Sequence, residues 1–427
     1  MSDRREAYEA LDLALRIGEV LLSSGAGAAD VSATMLEVTR ACGVRNVSAD
    51  VTFVDLTLRH QPSRDEPAAI QVRRVNRRPV DYADLVEVDQ AVTELVAGRI
   101  ARDEARDRVA RIVSTGHARP RWAVTLGWGV MGAGIALTLG GSLVICVLAF
   151  IAACGIDATQ RLLPPHRIPT FYQQAAGGFV ATMIAVIASA TSVEADPSRV
   201  VTSGIVMLLA GVGILGATQD ALTGFPVTAS ARVIDAFLNT MGIIAGVGAG
   251  LTVGDLLGVG LVDLEVGAAG IAEAGVIVAG AALAASGFAF ASYAPWRALV
   301  AVALVGGLGQ AVLLSVNSTA VGRTWGSAVA AVVIGAVCHL AAGRFRVPPL
   351  VVVVPAIVPL LPGLQVYRGL ALLAQGNDGV LELASALATA LALAAGVILG
   401  QYVARPIKRE ADRLERRLSG PRMVGNG

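Results

Sequence analysis

Lysine is almost missing from this 427-residue chain: Lys408, near the C-terminus, is the only one. A nucleotide loop therefore has no lysine for phosphate, and the glycines of SSGAGAAD (23–30) do not follow a strand. Cysteine is also scarce. Cys42, Cys146, Cys154 and Cys338 have no metal-ligand spacing and three lie in apolar runs, which excludes a disulfide framework and a zinc site from the expected architecture. Charged residues make up only 16% and the net charge is +1, so the basic footprint of a nucleic-acid binder is missing. No apolar run directly follows MSDRREAYEA, as a signal peptide would require, and the first domain is expected to stay in the cytoplasm.

What the chain has instead is apolar sequence, unevenly spread. Hydrophobic residues make up 55% and mean hydropathy is +0.65, values of a polytopic membrane protein. Residues 1–118 carry 16 Arg and 19 acids, an ordinary soluble composition, whereas residues 122–404 carry only 9 Arg and 11 acids. After Ala404 the chain turns basic, with Arg405, Lys408, Arg409, Arg413, Arg416, Arg417 and Arg422 against three acids. These shifts divide the chain into a cytoplasmic α/β domain (1–118), a first membrane half (119–255), a second (256–404) and a basic cytoplasmic tail (405–427).

In the first domain, apolar residues at helical spacing predict helices over 6–24 and 31–42, with Asp30 placed to cap the second. Residues 47–60 alternate as a half-buried strand, 70–75 pair with it, and amphipathic helices follow over 82–97 and 101–113. Ser23, Ser24 and Asp30 invite a hydrolase reading, but no histidine lies near them in sequence, and His60 and His117 are isolated. A helix–turn–helix joint in a gate or assembly platform is the simpler reading.

About ten apolar runs follow, and crossing the hydrocarbon core takes about twenty residues. The expected spans are 122–139, 142–155, 171–192, 200–218 and 233–253, then 271–290, 298–316, 325–342, 350–374 and 380–403. The ninth is interrupted by Pro355, Pro359, Pro362 and Gly363, so it should be a broken or re-entrant helix lining a cavity or buried in protein. With ten spans and both termini inside, Arg119, Arg121, Arg161, Arg167, Arg232, Arg297, Arg344 and Arg346 fall on the cytoplasmic side. Arg323 is the exception, and Arg368 has no assigned side.

The segment LAGVGILGATQDALTG (209–224) is echoed by LPGLQVYRGLALLAQG (361–376). Gly211 and Gly363 stand 152 residues apart, as do Gly224 and Gly376, and Gly155 and Gly307. An odd span number per repeat inverts the second half, the plan of many secondary transporters.

The order of these segments resembles the threonine/serine exporters of bacteria over nearly the whole chain. The residues that carry the likeness are LLSSGAGAADVSATMLEVTRACG (21–43), RRVNRR (73–78) and GGSLVICVLAFIAACG (140–155). To these add QDALTG with SARVIDAFLNTMGIIAGVGAGL (219–251) and PPLVVVVPAIVPLLPGLQVYRGL (348–370). Ala210 stands where the family usually has proline, while Pro362-Gly363 keeps the pair, so a sharp break has less support in the first half. The resemblance implies a multi-pass protein of the bacterial cytoplasmic membrane that exports small hydrophilic amino acids on the proton motive force, without a cofactor or catalysis. Its partners would be a small solute, protons and the bilayer, and a homo-oligomer is compatible with it. Related two-chain proteins resemble exporters of dicarboxylates such as succinate, which stand as the alternative substrate. A membrane-embedded hydrolase or a receptor is the alternative of another class; Asp157, Asp220 and Asp235 form no recognisable protease motif.

A zwitterion needs one group for its ammonium and another for its carboxylate. Asp220, behind a long apolar run, is the first candidate for the ammonium or the coupling proton. The alternative is an acid at a cytoplasmic helix end, paired with Arg232. Arg232, Asp235 and Asn239 share one helix face, as a path lining or as a local salt bridge with a helix-to-helix hydrogen bond. In the second half Gln365 and Arg368 are binding candidates, and Pro362 and Gly363 the break that exposes backbone groups. Asp157 (paired with Arg161 after the second span), Gln173, Gln310 and His339 are secondary candidates, each with an interfacial or anchoring role as the plainer reading.

Overall fold

The computed structural model describes residues 2–63, 65–75, 80–117, 119–163, 168–190, 197–208, 211–258, 271–317, 322–374 and 377–418. The chain begins with two helices, α1 (Ser2–Ser23) and α2 (Ala28–Ala41). An antiparallel meander follows, β1 (Val47–Val51), β2 (Asp55–His60) and β3 (Ala69–Arg74), in the order β1-β2-β3. The expected single strand over 47–60 is thus a hairpin. Thr52 turns the chain, its hydroxyl accepting from the Asp55 amide, and Val47 comes to lie opposite His60. Two further helices, α3 (Tyr82–Val96) and α4 (Arg102–Ser114), complete the unit. Its core joins Leu11, Leu15 and Ile17 of α1 to Met35 of α2 and to Leu56 and Leu58 of the central strand.

Among the described residues the rest is a series of helices. In the first half they are α5 (Arg121–Thr138), α6 (Leu143–Leu162), α7 (Thr170–Ser189), the bent pair α8 (Pro197–Leu208) and α9 (Gly211–Leu222), and α10 (Pro226–Leu256). In the second half they are α11 (Ile271–Ala291), α12 (Trp296–Asn317), α13 (Arg323–Phe345), a second bent passage and α16 (Val380–Leu418). That bent passage comprises α14 (Leu350–Ile357), a 3-10 turn over Val358–Leu360 and α15 (Gly363–Ala374). Among the described residues, seven helices are long and apolar enough to cross a membrane, or up to nine with each bent pair taken as one span. The helix over the first expected span, α5, is not among them, because Arg121 and four glycines dilute its hydropathy.

The surface of these helices is apolar where a soluble protein would be polar. On α10, Val233, Ile234, Phe237 and Leu238 are exposed, while Arg232 and Asn239 are buried. A face of that kind is suited to lipid. The α6 helix runs past the expected end at Gly155 to Leu162, so Asp157 and Arg161 lie within it and not beyond it.

Both bent passages turn sharply, by 45° between α8 and α9 and by 43° between the 3-10 turn and α15. The first break is therefore as strong as the second without a proline at position 210; Leu209 and Ala210 themselves lie outside the described residues. In the second, Pro362 has no N–H, and Leu361 before it adopts the extended φ −59, ψ 141 that a following proline favours.

Packing partners recur between the halves: α5 lies on α6 as α11 lies on α12, and α7 on α10 as α13 on α16. At the centre α5 and α11 run antiparallel with backbones touching. A Cβ on Gly134 would lie 2.5 Å from the Ala284 amide nitrogen, and one on Gly287 would lie 2.7 Å from that of Met131. Neither neighbour can yield, since each is backbone. Gly134→Leu should therefore cost about 1–3 kcal/mol by overpacking and visibly lower the melting temperature of the solubilised protein. Gly248→Ala, where no atom lies within 4 Å, should leave it unchanged or raise it; equal melting points for the two variants would contradict this packing.

Candidate functional site

The α9–α10 connection is a tight hairpin. Gly224 takes a positive φ of 91°, the Phe225 amide donates to the Asp220 carbonyl at 2.8 Å, and Pro226 opens α10. This turn brings Asp220, from the last turns of α9, against Arg232 of α10. Asp220 is fully buried, and Arg232 is nearly so. Their charged groups approach to 3.0 Å, Nε to Oδ2, but the N–H does not point along that line. Among the described residues both atoms are left without a hydrogen bond. Asp220 Oδ1 and one Arg232 nitrogen turn to the first domain. The Ala28 amide donates to Asp220 Oδ1 at 2.7 Å, and Arg232 donates to the Ala26 carbonyl at 2.9 Å.

Ala28 is the first residue of α2, and the N-cap, Gly27, has no side chain to offer. The carboxylate of Asp220 thus supplies a helix cap from 192 residues away, where a negative charge also meets the positive end of the helix dipole. Asp30, expected as the cap, lies inside the first turn and accepts from Gln219 Nε2 at 3.1 Å. A Cβ on Gly27 would lie 2.8 Å from the Nε2 of that same Gln219 side chain, which would have to shift to admit it. Thr228 of α10 adds a buried hydrogen bond to the Val51 carbonyl at 2.8 Å, and Phe225 packs on the first domain's core.

A second contact joins the first domain to the α11–α12 turn. The Tyr82 amide donates to the Ser292 carbonyl at 2.9 Å. Asp81 caps α3 and holds His117 Nδ1 at 2.7 Å, and His117 stacks on Tyr293. Arg119 donates to the carbonyls of Phe290 and Ala294. Burial raises the Tyr82 hydroxyl above its ordinary range and lowers Arg119, the latter opposed by the Asp81 carboxylate. Ser23 Oγ bonds its own helix at the Val20 carbonyl, so this hydroxyl is engaged in the joint and His117 in the docking.

The remaining candidates fall in three places. Asp235 accepts from Asn239 Nδ2 at 3.2 Å on α10, leaving the buried Asn239 Oδ1 without a partner among the described residues. Asp157 ties α6 to α5, taking Thr125 Oγ1 at 2.7 Å and Arg161 at 3.0 Å, and Gln173 donates to the Ile168 carbonyl. His339 is half-buried on α13, and Gln310 is buried on α12 with its Oε1 unpaired among the described residues.

The two breaks meet. A Cβ on Gly363 would lie 2.3 Å from Val206 Cγ2 of α8, with the Thr202 carbonyl at 3.6 Å. Pro362, the N-cap of α15, accepts from the Val366 amide. Hydrogen-bonding capacity is left over on these elements: Thr202 Oγ1 and Gln365 Oε1 are buried without partners among the described residues. Gln365 otherwise donates to Ser385 of α16, and Arg368 lies one turn further on, half-buried. The backbone groups of Ala26 and Ala28 and the side chain of Thr228 were not among the sequence candidates, since a backbone amide carries no residue signal. Arg323, by contrast, did stand out, as an arginine on the wrong side.

A family model for threonine/serine exporters matches residues 12–254, and a second model, also for threonine/serine exporters, matches residues 277–403. The chain is 36% identical over 431 residues to a "Probable threonine/serine exporter" of Mycobacterium tuberculosis, covering 98% of this chain and 81% of that protein. It is 35% identical over 419 residues to a threonine/serine exporter of Corynebacterium glutamicum, covering 96% and 85%. No solved structure matches.

Removing one partner of a buried pair strands the other, at about 3–5 kcal/mol. Arg232→Met should therefore speed hydrogen exchange at the amides of Ala26–Val31 strongly. Thr228→Val, which removes one hydrogen bond worth about 1 kcal/mol, should do so weakly. Unchanged exchange at these amides in Arg232→Met would contradict the docking geometry.

Proposed function

This chain belongs to the threonine/serine exporter family, and we propose that it carries threonine, serine and similar small hydrophilic amino acids out across the cytoplasmic membrane. The observation that carries the proposal is the meeting of two sharply broken helices at Gly363 and Val206. A broken span frees carbonyls at one half-helix end and amides at the other. A zwitterion needs both kinds of group: acceptors for its ammonium and donors, with a positive dipole end, for its carboxylate. The buried, unpaired Thr202 and Gln365 oxygens add side-chain capacity at the same place.

Ten passes in two inverted five-helix halves are the architecture of this reading. The antiparallel α5–α11 contact supports it, because Gly127 and Gly134 meet α11 as Gly280 and Gly287 meet α5. The first domain and both termini then lie in the cytoplasm, and the domain covers the inner mouth through its Gly25–Ala28 turn. Proton-driven export fits Asp220. Protonation would remove the charge that holds Arg232 and weaken the cap on α2, loosening the first domain, and deprotonation would restore both.

Proteoliposomes loaded with threonine, serine or succinate and given a proton gradient test the proposal. Flux of threonine or serine is expected, while flux of succinate alone would replace the substrate with a dicarboxylate, and no flux of any would overturn the reading. Asp220→Asn, which keeps an oxygen for Ala28 but not the charge, should abolish gradient-driven flux in protein that inserts normally. Unchanged flux would reduce Asp220 to a docking residue.

A further inference from the structure

A groove of about 450 Å³ lies on the first domain between α1, β3 and α4, within the range of roughly 300–1,000 Å³ usual for small-molecule sites. Its lining holds three arginines, Arg5 of α1, Arg73 of β3 and Arg106 of α4, and two acids, Glu9 and Asp12 of α1. Ion pairs fix most of these groups in place. Arg73 bridges Asp12 at 3.5 Å and Glu19 at 2.6 Å, and Arg16 takes the other Asp12 oxygen at 2.8 Å. Glu9 lies between Arg5 at 3.2 Å and Arg102 at 3.1 Å. Gln71 Nε2 donates to the Tyr8 carbonyl at 3.1 Å and ties β3 to α1.

Arg106 is the exception. It is half-buried, one helical turn beyond Arg102, and its guanidinium has no ion pair or hydrogen bond among the described residues. A guanidinium that has given up part of its hydration regains it from a carboxylate, through forked charge-assisted hydrogen bonds. Tyr8, which lines the groove and is exposed, adds a hydroxyl donor. The acids select among anions. A phosphate dianion would meet Glu9 and Asp12 as well as Arg106, and like charges repel. A small zwitterion meets both signs: its carboxylate takes Arg106 and its ammonium the acids.

We infer that this groove is a second site for the exported class of solute, a small amino acid, and that its occupancy acts on transport through α1. The naming of the solute rests on the exporter reading. The α1 helix lines the groove from Arg5 to Leu15 and ends at Ser23, just before the Gly25–Ala28 turn that Asp220 and Arg232 hold. A ligand that ties α1 to β3 and α4 therefore acts on the element that feeds the docking contact. The groove senses the solute on the side from which it is exported.

The test is hydrogen exchange on the full chain in nanodiscs, read at the groove amides of Tyr8–Leu15 and Gln71–Arg73. L-threonine, threoninol (which lacks the carboxylate) and inorganic phosphate are the probes. Threonine at about ten times its dissociation constant should slow exchange there about tenfold, and threoninol and phosphate should leave it unchanged. Arg106→Gln should lose the protection with an unchanged melting temperature, and Arg106→Lys should keep part of it. Tyr8→Phe, which removes one hydroxyl, should weaken it several-fold and serves if Arg106→Gln does not fold. In proteoliposomes, flux should rise sigmoidally with internal threonine in the wild type and hyperbolically in Arg106→Gln. Equal protection by threoninol, protection by phosphate alone, unchanged protection in both Arg106→Gln and Tyr8→Phe, or the same flux curve in wild type and Arg106→Gln would each overturn the inference. Protection without flux of any solute removes the exporter reading and leaves the groove, whereas flux without protection removes the groove and leaves that reading.

Discussion

A carboxylate and a guanidinium buried together lose hydration worth several kcal/mol each, and their attraction offsets this only where the remaining polar atoms find partners. Asp220 and Arg232 find those partners outside their own helices. Oδ1 of Asp220 takes the first amide of α2, and Arg232 takes the carbonyl two residues before it. Neither side of the contact is complete alone. The turn Gly25–Ala28 has no side-chain cap, and the hairpin α9–α10 has a charged pair whose own hydrogen bond is not made. Docking completes both.

The acid sits at the end of a helix that begins at a break. Any change at Asp220 acts on α9, whose other end lies next to the crossing of the two bent passages. A 12-residue helix therefore links the docking contact to the place where the first break lies. The α5 and α11 helices approach closely, with backbone meeting backbone at Gly134, Gly280 and Gly287. Packing of that kind tolerates rigid-body movement of one unit against another better than interlocked side chains do.

Much of this fold could be read from hydropathy, because period and length leave little choice once a run exceeds about twenty apolar residues. The limits of reading are equally physical. Val47, Ala49, Val51 and Phe53 alternate on odd positions, but Val54, Leu56 and Leu58 continue on even ones, and that change of phase marks the Thr52 turn that makes a hairpin of residues 47–60. The break at Leu208 has no proline to announce it, yet it bends as far as the one at Pro362. The 152-residue spacing relates Gly211 to Gly363 at the starts of α9 and α15. It does not relate Gly155 to Gly307: Gly155 packs on Val180 and Ile184 of α7, whereas it is Gly309 that packs on Ile334 of α13. Asp220 and Arg232 were legible as a pair, being a lone acid and a lone base at neighbouring helix ends. Their grip on Ala26 and Ala28 was not, because those groups are backbone and far away in sequence.

The central claim is that the first domain must release the α9–α10 hairpin for transport to proceed. Cysteines at Gly27 and Gln219, placed in a background without the four native cysteines, would lock the two together at their point of contact. Flux is measured in proteoliposomes with the disulfide formed and again after reduction. The account predicts arrest in the oxidised protein and recovery on reduction; equal flux in both states would contradict it.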